Sequence, residues 1–136
     1  MTISLKELQS GDQLPIVDLP PVSRIDLIKY AGASGDYNPI HTIDDEARKA
    51  GLPGIIAHGM WTMGNLGKLF TSFYEEGFLQ DFSIRFQGMV LLDDVVTLKA
   101  VLRETNNQKL KFDVRASKQD GTDVLKGEVV YYLYKD

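Results

Sequence analysis

Residues 96–116 read VTLKAVLRETNNQKLKFDVRA, two alternating runs on either side of a polar turn. Val96, Leu98, Ala100 and Leu102 alternate with polar or charged neighbours, and Leu110, Phe112, Val114 and Ala116 repeat the pattern. A period of two with one apolar face predicts half-buried antiparallel strands. Thr105–Gln108, TNNQ, and Gln119–Thr122, QDGT, have the composition of turns. The following VLKGEVVYYLY supplies a last strand, and the same period begins near Phe82. The C-terminal half therefore predicts a meander of at least four strands.

Upstream the period lengthens. Residues 58–77, HGMWTMGNLGKLFTSFYEEG, space Met60, Met63, Leu66, Phe70 and Phe73 by three and four and end at Gly77. That spacing predicts a helix of about 16 residues, roughly 24 Å long. Gly59, Gly64 and Gly67 would each cost ~1 kcal/mol relative to Ala inside it, so they are expected to permit close backbone approach. A shorter helix is expected over Arg24–Ala31, with Ser23 as N-cap, Asp26 three residues on and Gly32 as its stop. TIDDEARKAG, acids first and bases last, predicts another before Gly51. Helices followed by an antiparallel sheet make an α+β chain, with the long apolar helix covering one sheet face. Its 136 residues suffice for one domain, expected to span 1–136.

Composition narrows the functional classes. A net charge of −4 gives no general electrostatic reason to bind nucleic acid or an anionic membrane. The absence of Cys excludes a disulfide framework, a zinc knuckle and a thiol nucleophile. MTISLKELQSGD lacks the apolar core of a signal peptide, and no stretch approaches ~20 apolar residues. A soluble, cytoplasmic protein without a membrane span is expected.

Chemistry concentrates in Tyr30–Ile43, YAGASGDYNPIHTI. Asp36 and His41 can meet across a turn if Asn38 caps and Pro39 opens the next helical turn, with Gly35 freeing the backbone. A carboxylate and an imidazole converging on one water form a general acid/base pair. In the other reading, Asp36 and Asn38 only make Asx turns while His41 occupies a first helical turn. The chain's second histidine, His58, stands in AHGM at the start of the long helix. Unpaired backbone N–H groups there suit a developing oxyanion. No recognisable zinc spacing accompanies Asp36, His41 and His58, so neither a metal nor another cofactor is expected.

YAGASGDYNPIH with Ala47, together with GIIAHGM, resembles the MaoC-like (R)-specific enoyl-CoA hydratases and 3-hydroxyacyl-thioester dehydratases of the hot dog fold. The single-hot-dog β subunits of the mycobacterial fatty-acid elongation dehydratase are similar in look. The resemblance extends more weakly through LQSGDQLP and SIRFQGMVLLDDVVTL. It implies a long central helix wrapped by a curved antiparallel sheet, with paired units and acyl tails near their interface. It also implies that Asp36 and His41 are the catalytic dyad, with the Gly59 N–H as oxyanion hole and Asn38 and Ser34 in support. His58 reads as a supporting helix-start residue with a structural hydrogen bond, the alternatives being a catalytic role of its own or a metal site shared with Asp36 and His41. The reaction implied is reversible syn hydration of trans-2-enoyl thioesters of CoA or acyl carrier protein. After IRF the family commonly shows Pro-Val and then a Gly-Asp turn, where this chain has Gly88-Met89-Val90 and then Asp93-Asp94.

Lys99, Arg103, Lys109, Lys111 and Arg115 share the solvent parity of the middle strands. They form either a solvated sheet face or a dock for coenzyme A phosphates or an acidic carrier protein. Met60, Trp61 and Met63 read as core, with an adaptable acyl tunnel as the alternative for the methionines. Aromatic residues of both parities at the end of the last strand suggest pairing with another subunit. A homodimer or higher homo-oligomer is expected, with a heterodimer as the alternative. Two functional alternatives stand beside the hydratase: a subunit inactive without its partner, and a hot dog thioesterase.

Overall fold

The structure, a computed structural model, describes residues 3–135. These form a five-stranded antiparallel sheet with strand order β1-β3-β4-β5-β2. The strands are β1 (Val17–Asp18), β2 (Gly77–Phe86), β3 (Thr97–Asn106), β4 (Lys109–Ser117) and β5 (Asp123–Leu133). The helices are α1 (Arg24–Ser34), α2 (Asp44–Lys49) and α3 (Gly59–Leu66). The expected turns join β3 to β4 and β4 to β5, with Asn107 and Gly121 in the left-handed region.

The alternation decides which side is inside. Leu98, Ala100, Leu102, Leu110, Phe112, Val114, Ala116, Val129 and Tyr131 are buried on one face, where Leu66, Leu69, Phe70 and Phe73 pack into the same core. Val22, Leu27 and Ala47 join it from the N-terminal half. The sheet curls around this core.

The central helix is shorter than its periodicity predicts. α3 ends at Leu66 and continues as 3-10 turns over Gly67–Leu69 and Thr71–Phe73. Bonds from Phe70 N–H to the Gly67 carbonyl and from Phe73 N–H to the Phe70 carbonyl, each 3.0 Å, tighten this stretch. The Tyr131 hydroxyl pins its end, donating to the Phe73 and Gly77 carbonyls at 2.7 and 2.9 Å. Gly77 is thus the first residue of β2 rather than a helix stop, and a Cβ there would strike the Tyr132 carbonyl. Gly59 does lie against a neighbour, Phe86, but Gly64 and Gly67 face open space. Met60 is 55% exposed rather than core.

α1 runs past Gly32. Its capping box is formed, Asp26 N–H to Ser23 Oγ at 3.1 Å and Ser23 N–H to Asp26 Oδ2 at 3.3 Å. Its end is set by Gly35, in the left-handed conformation with φ of 76°. The segment SIRFQGMVLLDDVVTL, through which the resemblance extends, is not one strand but is divided between the end of β2, a loop and the start of β3. Asp94 holds that loop. Its carboxylate accepts from Leu91 N–H at 2.8 Å and Gln119 Nε2 at 2.9 Å, and pairs with Lys118 at 3.4 Å.

Candidate active site

The Gly35 cap turns the chain out of α1 and into a series of side-chain-braced turns. Ser34 Oγ accepts from Asp36 N–H at 3.1 Å, Asp36 Oδ1 from Asn38 N–H at 3.2 Å, and Asn38 Oδ1 from Ile40 N–H at 3.3 Å. Pro39 then opens a 3-10 turn that carries His41. The Asx turns of the second reading form, and Asp36 and His41 also approach each other across them. Asp36 uses Oδ1 for the Asx turn and leaves Oδ2 facing His41 Nε2 at 3.9 Å.

The local bonds also fix the imidazole. His41 is 8% exposed, and its Nδ1 lies 2.8 Å from the Ile56 carbonyl. A carbonyl can only accept, so Nδ1 carries the hydrogen and the neutral ring keeps its lone pair on Nε2, toward Asp36. Ile56 N–H donates in turn to the Ile40 carbonyl at 3.2 Å, clipping the two segments together. A water in the gap between Nε2 and Oδ2 would meet two proton acceptors at once.

His58 lies beneath the pair as the N-cap of α3. Its ring stacks on His41 with centroids 3.9 Å apart and meets the Tyr30 ring in a T-shaped contact with centroids 4.8 Å apart. Nε2 donates to the Asp36 carbonyl at 3.2 Å, while the buried Nδ1 has no partner among the described residues. Burial, reinforced by the neighbouring His41, holds the His58 pKa below its ordinary value and keeps the ring neutral. Ligand atoms of Asp36, His41 and His58 lie within 4.8 Å of one another. A metal centre needs lone pairs converging at about 2.0–2.1 Å for histidine nitrogen, whereas stacked rings present theirs side by side.

Immediately after His58 come the first N–H groups of α3, which have no intrahelical acceptors. A Cβ built on Gly59 would come 2.8 Å from Phe86 Cε1, so the Phe86 ring sits against this turn. Asp36, His41, His58 and the start of α3 are thus one neighbourhood, with Ser34 and Asn38 bracing its loop. The Ile56 carbonyl, Tyr30 and Phe86 were not singled out in the sequence. Tyr30 and Ile56 fall inside the two quoted strings, but their contacts with the histidines, like that of Phe86 with Gly59, come from packing between separate segments.

The five cations on the solvent parity of the middle strands do not act alike. Arg103 pairs with Asp113 at 3.2 Å and Glu128 at 2.6 Å, and Lys111 lies 3.8 Å from Glu104. Lys99 and Arg115 face each other in register across β3 and β4. Lys109 opens β4, opposite Asn106 and Tyr132.

Comparison with known proteins adds the lineage. Residues 10–123 match the model of the MaoC like domain. A 3-hydroxyacyl-[acyl-carrier-protein] dehydratase, mitochondrial, from Arabidopsis thaliana is 30% identical over 123 residues, 85% of this chain and 74% of that protein. The fatty acid synthase subunit beta of Aspergillus oryzae is 38% identical over 109 residues, 76% of this chain. The chain spans only 5% of that subunit's length. Among solved structures, an (R)-hydratase from A. caviae superimposes with a TM-score of 0.81 at 21% identity, covering 95% of this chain and 99% of that one. The ChsH1-ChsH2 complex from Mycobacterium tuberculosis gives 0.83 at 18%, covering 93% and 98%. These likenesses identify the curled sheet and its helix as a hot dog fold. The chain belongs to the MaoC-like dehydratase family.

Proposed function

We propose that this chain is a hydro-lyase that interconverts trans-2-enoyl and (R)-3-hydroxyacyl thioesters, with Asp36 and His41 as its acid/base pair. The observation that carries this reading is the 3.9 Å gap between His41 Nε2 and Asp36 Oδ2, with His41 Nδ1 committed to the Ile56 carbonyl. Water held in that gap attacks C3 as its proton passes to the dyad. The C2–C3 π electrons move toward the thioester carbonyl, whose oxygen takes the charge. The Gly59 N–H, at the positive end of α3, stabilises that oxygen. The enolate collapses as the dyad returns the proton to C2. Oxygen and hydrogen arrive from the one face the dyad occupies, which makes the addition syn.

The substrate's carrier is coenzyme A or an acyl carrier protein. The working unit is a pair of subunits: among the described residues β2 is an edge strand, paired in the sheet with β5 alone, and it exposes Phe78, Leu79 and Phe86. A second copy of this chain is the simplest partner. A different hot dog chain is the other reading, since relatives of this fold occur in a ChsH1-ChsH2 complex and a HadBC complex.

The test is crotonyl-CoA hydration by the purified chain, followed by loss of enoyl-thioester absorbance and by chiral analysis of the product. Asp36→Asn and His41→Ala are expected to lower the rate by about 10²–10⁴ while leaving the protein folded. Wild-type turnover that survives in both variants overturns the dyad. Release of free acid instead of hydroxyacyl thioester would point to a thioesterase.

A further inference from the structure

The outer face of the sheet carries an arrangement that strand stability disfavours. Lys99 on β3 is paired in register with Arg115 on β4. Arg115 is paired with Lys126 on β5, and Lys126 with Arg85 on β2. One rung thus crosses four strands with a cation on each. Like charges directly opposite destabilise a ladder, and this chain has a net charge of −4. Acids were not scarce.

Nearby acids leave most of the rung unmatched. Asp123 reaches Lys126 only at 3.9 Å. The next rung holds Asp113 and Glu128, and both are engaged by Arg103. Among the described residues, Lys99, Arg115 and Arg85 have no ion-pair partner. Lys99, Arg115 and Lys126 line a shallow depression of about 600 Å³ with Gln13, Val101 and Asp113.

We infer that the Lys99–Arg115–Lys126–Arg85 rung is a docking surface for an acidic α-helix of a partner protein, laid across the strands. Spacing selects this occupant. Three interstrand steps of about 4.8 Å make a line of roughly 14 Å. A helix advances about 5.4 Å per turn, so acids at i, i+4, i+7 and i+11 set one carboxylate against each cation. A nucleotide phosphate group is too compact to span the line and would leave its ends unmatched.

The experiment measures fluorescence anisotropy of a labelled, alanine-rich helical peptide with glutamates along one face, titrated with the full chain at 50 mM and 200 mM salt. Expected are saturable binding at low salt, at least five-fold weaker binding at high salt, and at least ten-fold weakening in Arg115→Glu and in Lys126→Glu. Lys109→Glu, on the same face outside the rung, should bind within two-fold of the parent. Lys126→Glu should also melt no lower than the parent, because it places an acid between Arg115 and Arg85. No binding at low salt overturns the proposal. So does equal weakening by Lys109→Glu, or equal binding of a peptide with the same glutamates scattered around its helix. Displacement of the peptide by inorganic triphosphate at lower concentration than by unlabelled peptide would make the rung a phosphate site and overturn it as well.

Discussion

His58 bears on both members of the proposed dyad: its ring stacks on His41 at 3.9 Å, and its Nε2 donates to the Asp36 backbone carbonyl at 3.2 Å. It holds the ring of one and the backbone of the other. His58→Gln keeps an amide donor but loses the stacked plane. Crotonyl-CoA hydration should fall by about 10–10² in kcat, the scale of a small misplacement of reacting groups. Circular dichroism should remain that of the parent.

The same residue sets an acid sensitivity. His58 titrates below its ordinary value of 6.5 in the folded protein, first because it is buried and then because His41 is beside it. The unfolded chain therefore binds the extra proton first as pH falls below 6.5. The stabilisation is fully present above that pH and is lost as pH falls through the lowered folded value. The urea midpoint should drop between pH 7.5 and 5.5, and it should drop less in His58→Gln.

Asp93 has φ of 66°, in the left-handed region where an L side chain is disfavoured. The resemblance drawn from the sequence puts a glycine in this turn. Asp93→Gly should raise stability by up to ~1 kcal/mol, the lower end of the left-handed penalty. Thermal melts of the two proteins give the comparison.

Asp94 does the opposite work. Burial alone would raise its pKa, but bonds from the Gln119 side chain and Leu91 N–H, with Lys118 close by, hold it below the usual carboxylate range. Asp94→Ala leaves Lys118, whose side chain is only 18% exposed, without its partner. A loss of about 3 kcal/mol is expected, the scale of breaking a buried pair. Urea denaturation at neutral pH measures it.

Gly127 faces Ile84 across β5 and β2, and a Cβ there would run into the Ser83 carbonyl. Gly127→Ala must push the edge strand away. A loss of at least ~2 kcal/mol is expected, on the scale of overpacking and strain. Hydrogen exchange should show β2 amides losing protection before those of β3 and β4.

The strands were legible because alternation at Val96–Leu102 and Leu110–Ala116 reports burial directly. The site was legible because Asp36, Asn38, Pro39 and His41 shape their own loop within six residues. The break after Leu66 was not, since the 3-10 stretch that follows it is pinned at Phe73 and Gly77 by Tyr131, from the far end of the chain. Nor was the cation rung. Lys99 and Arg115 stand out by parity, but only strand register sets Lys126 and Arg85 beside them.

The N-terminal arm has its anchors late in the chain. Gly11, Leu14, Leu19 and Val22 donate backbone hydrogen bonds to Leu102, Ala100, Val96 and Asp94, and β1 pairs with the start of β3. During synthesis, Asp36 and His41 therefore leave the ribosome well before the strand that secures the segment leading into α1. Contacts of such sequence separation are slow to close. A nascent chain stalled before β3 would carry both proposed catalytic side chains on a loop braced by its own turns, with the arm that leads into α1 still unanchored.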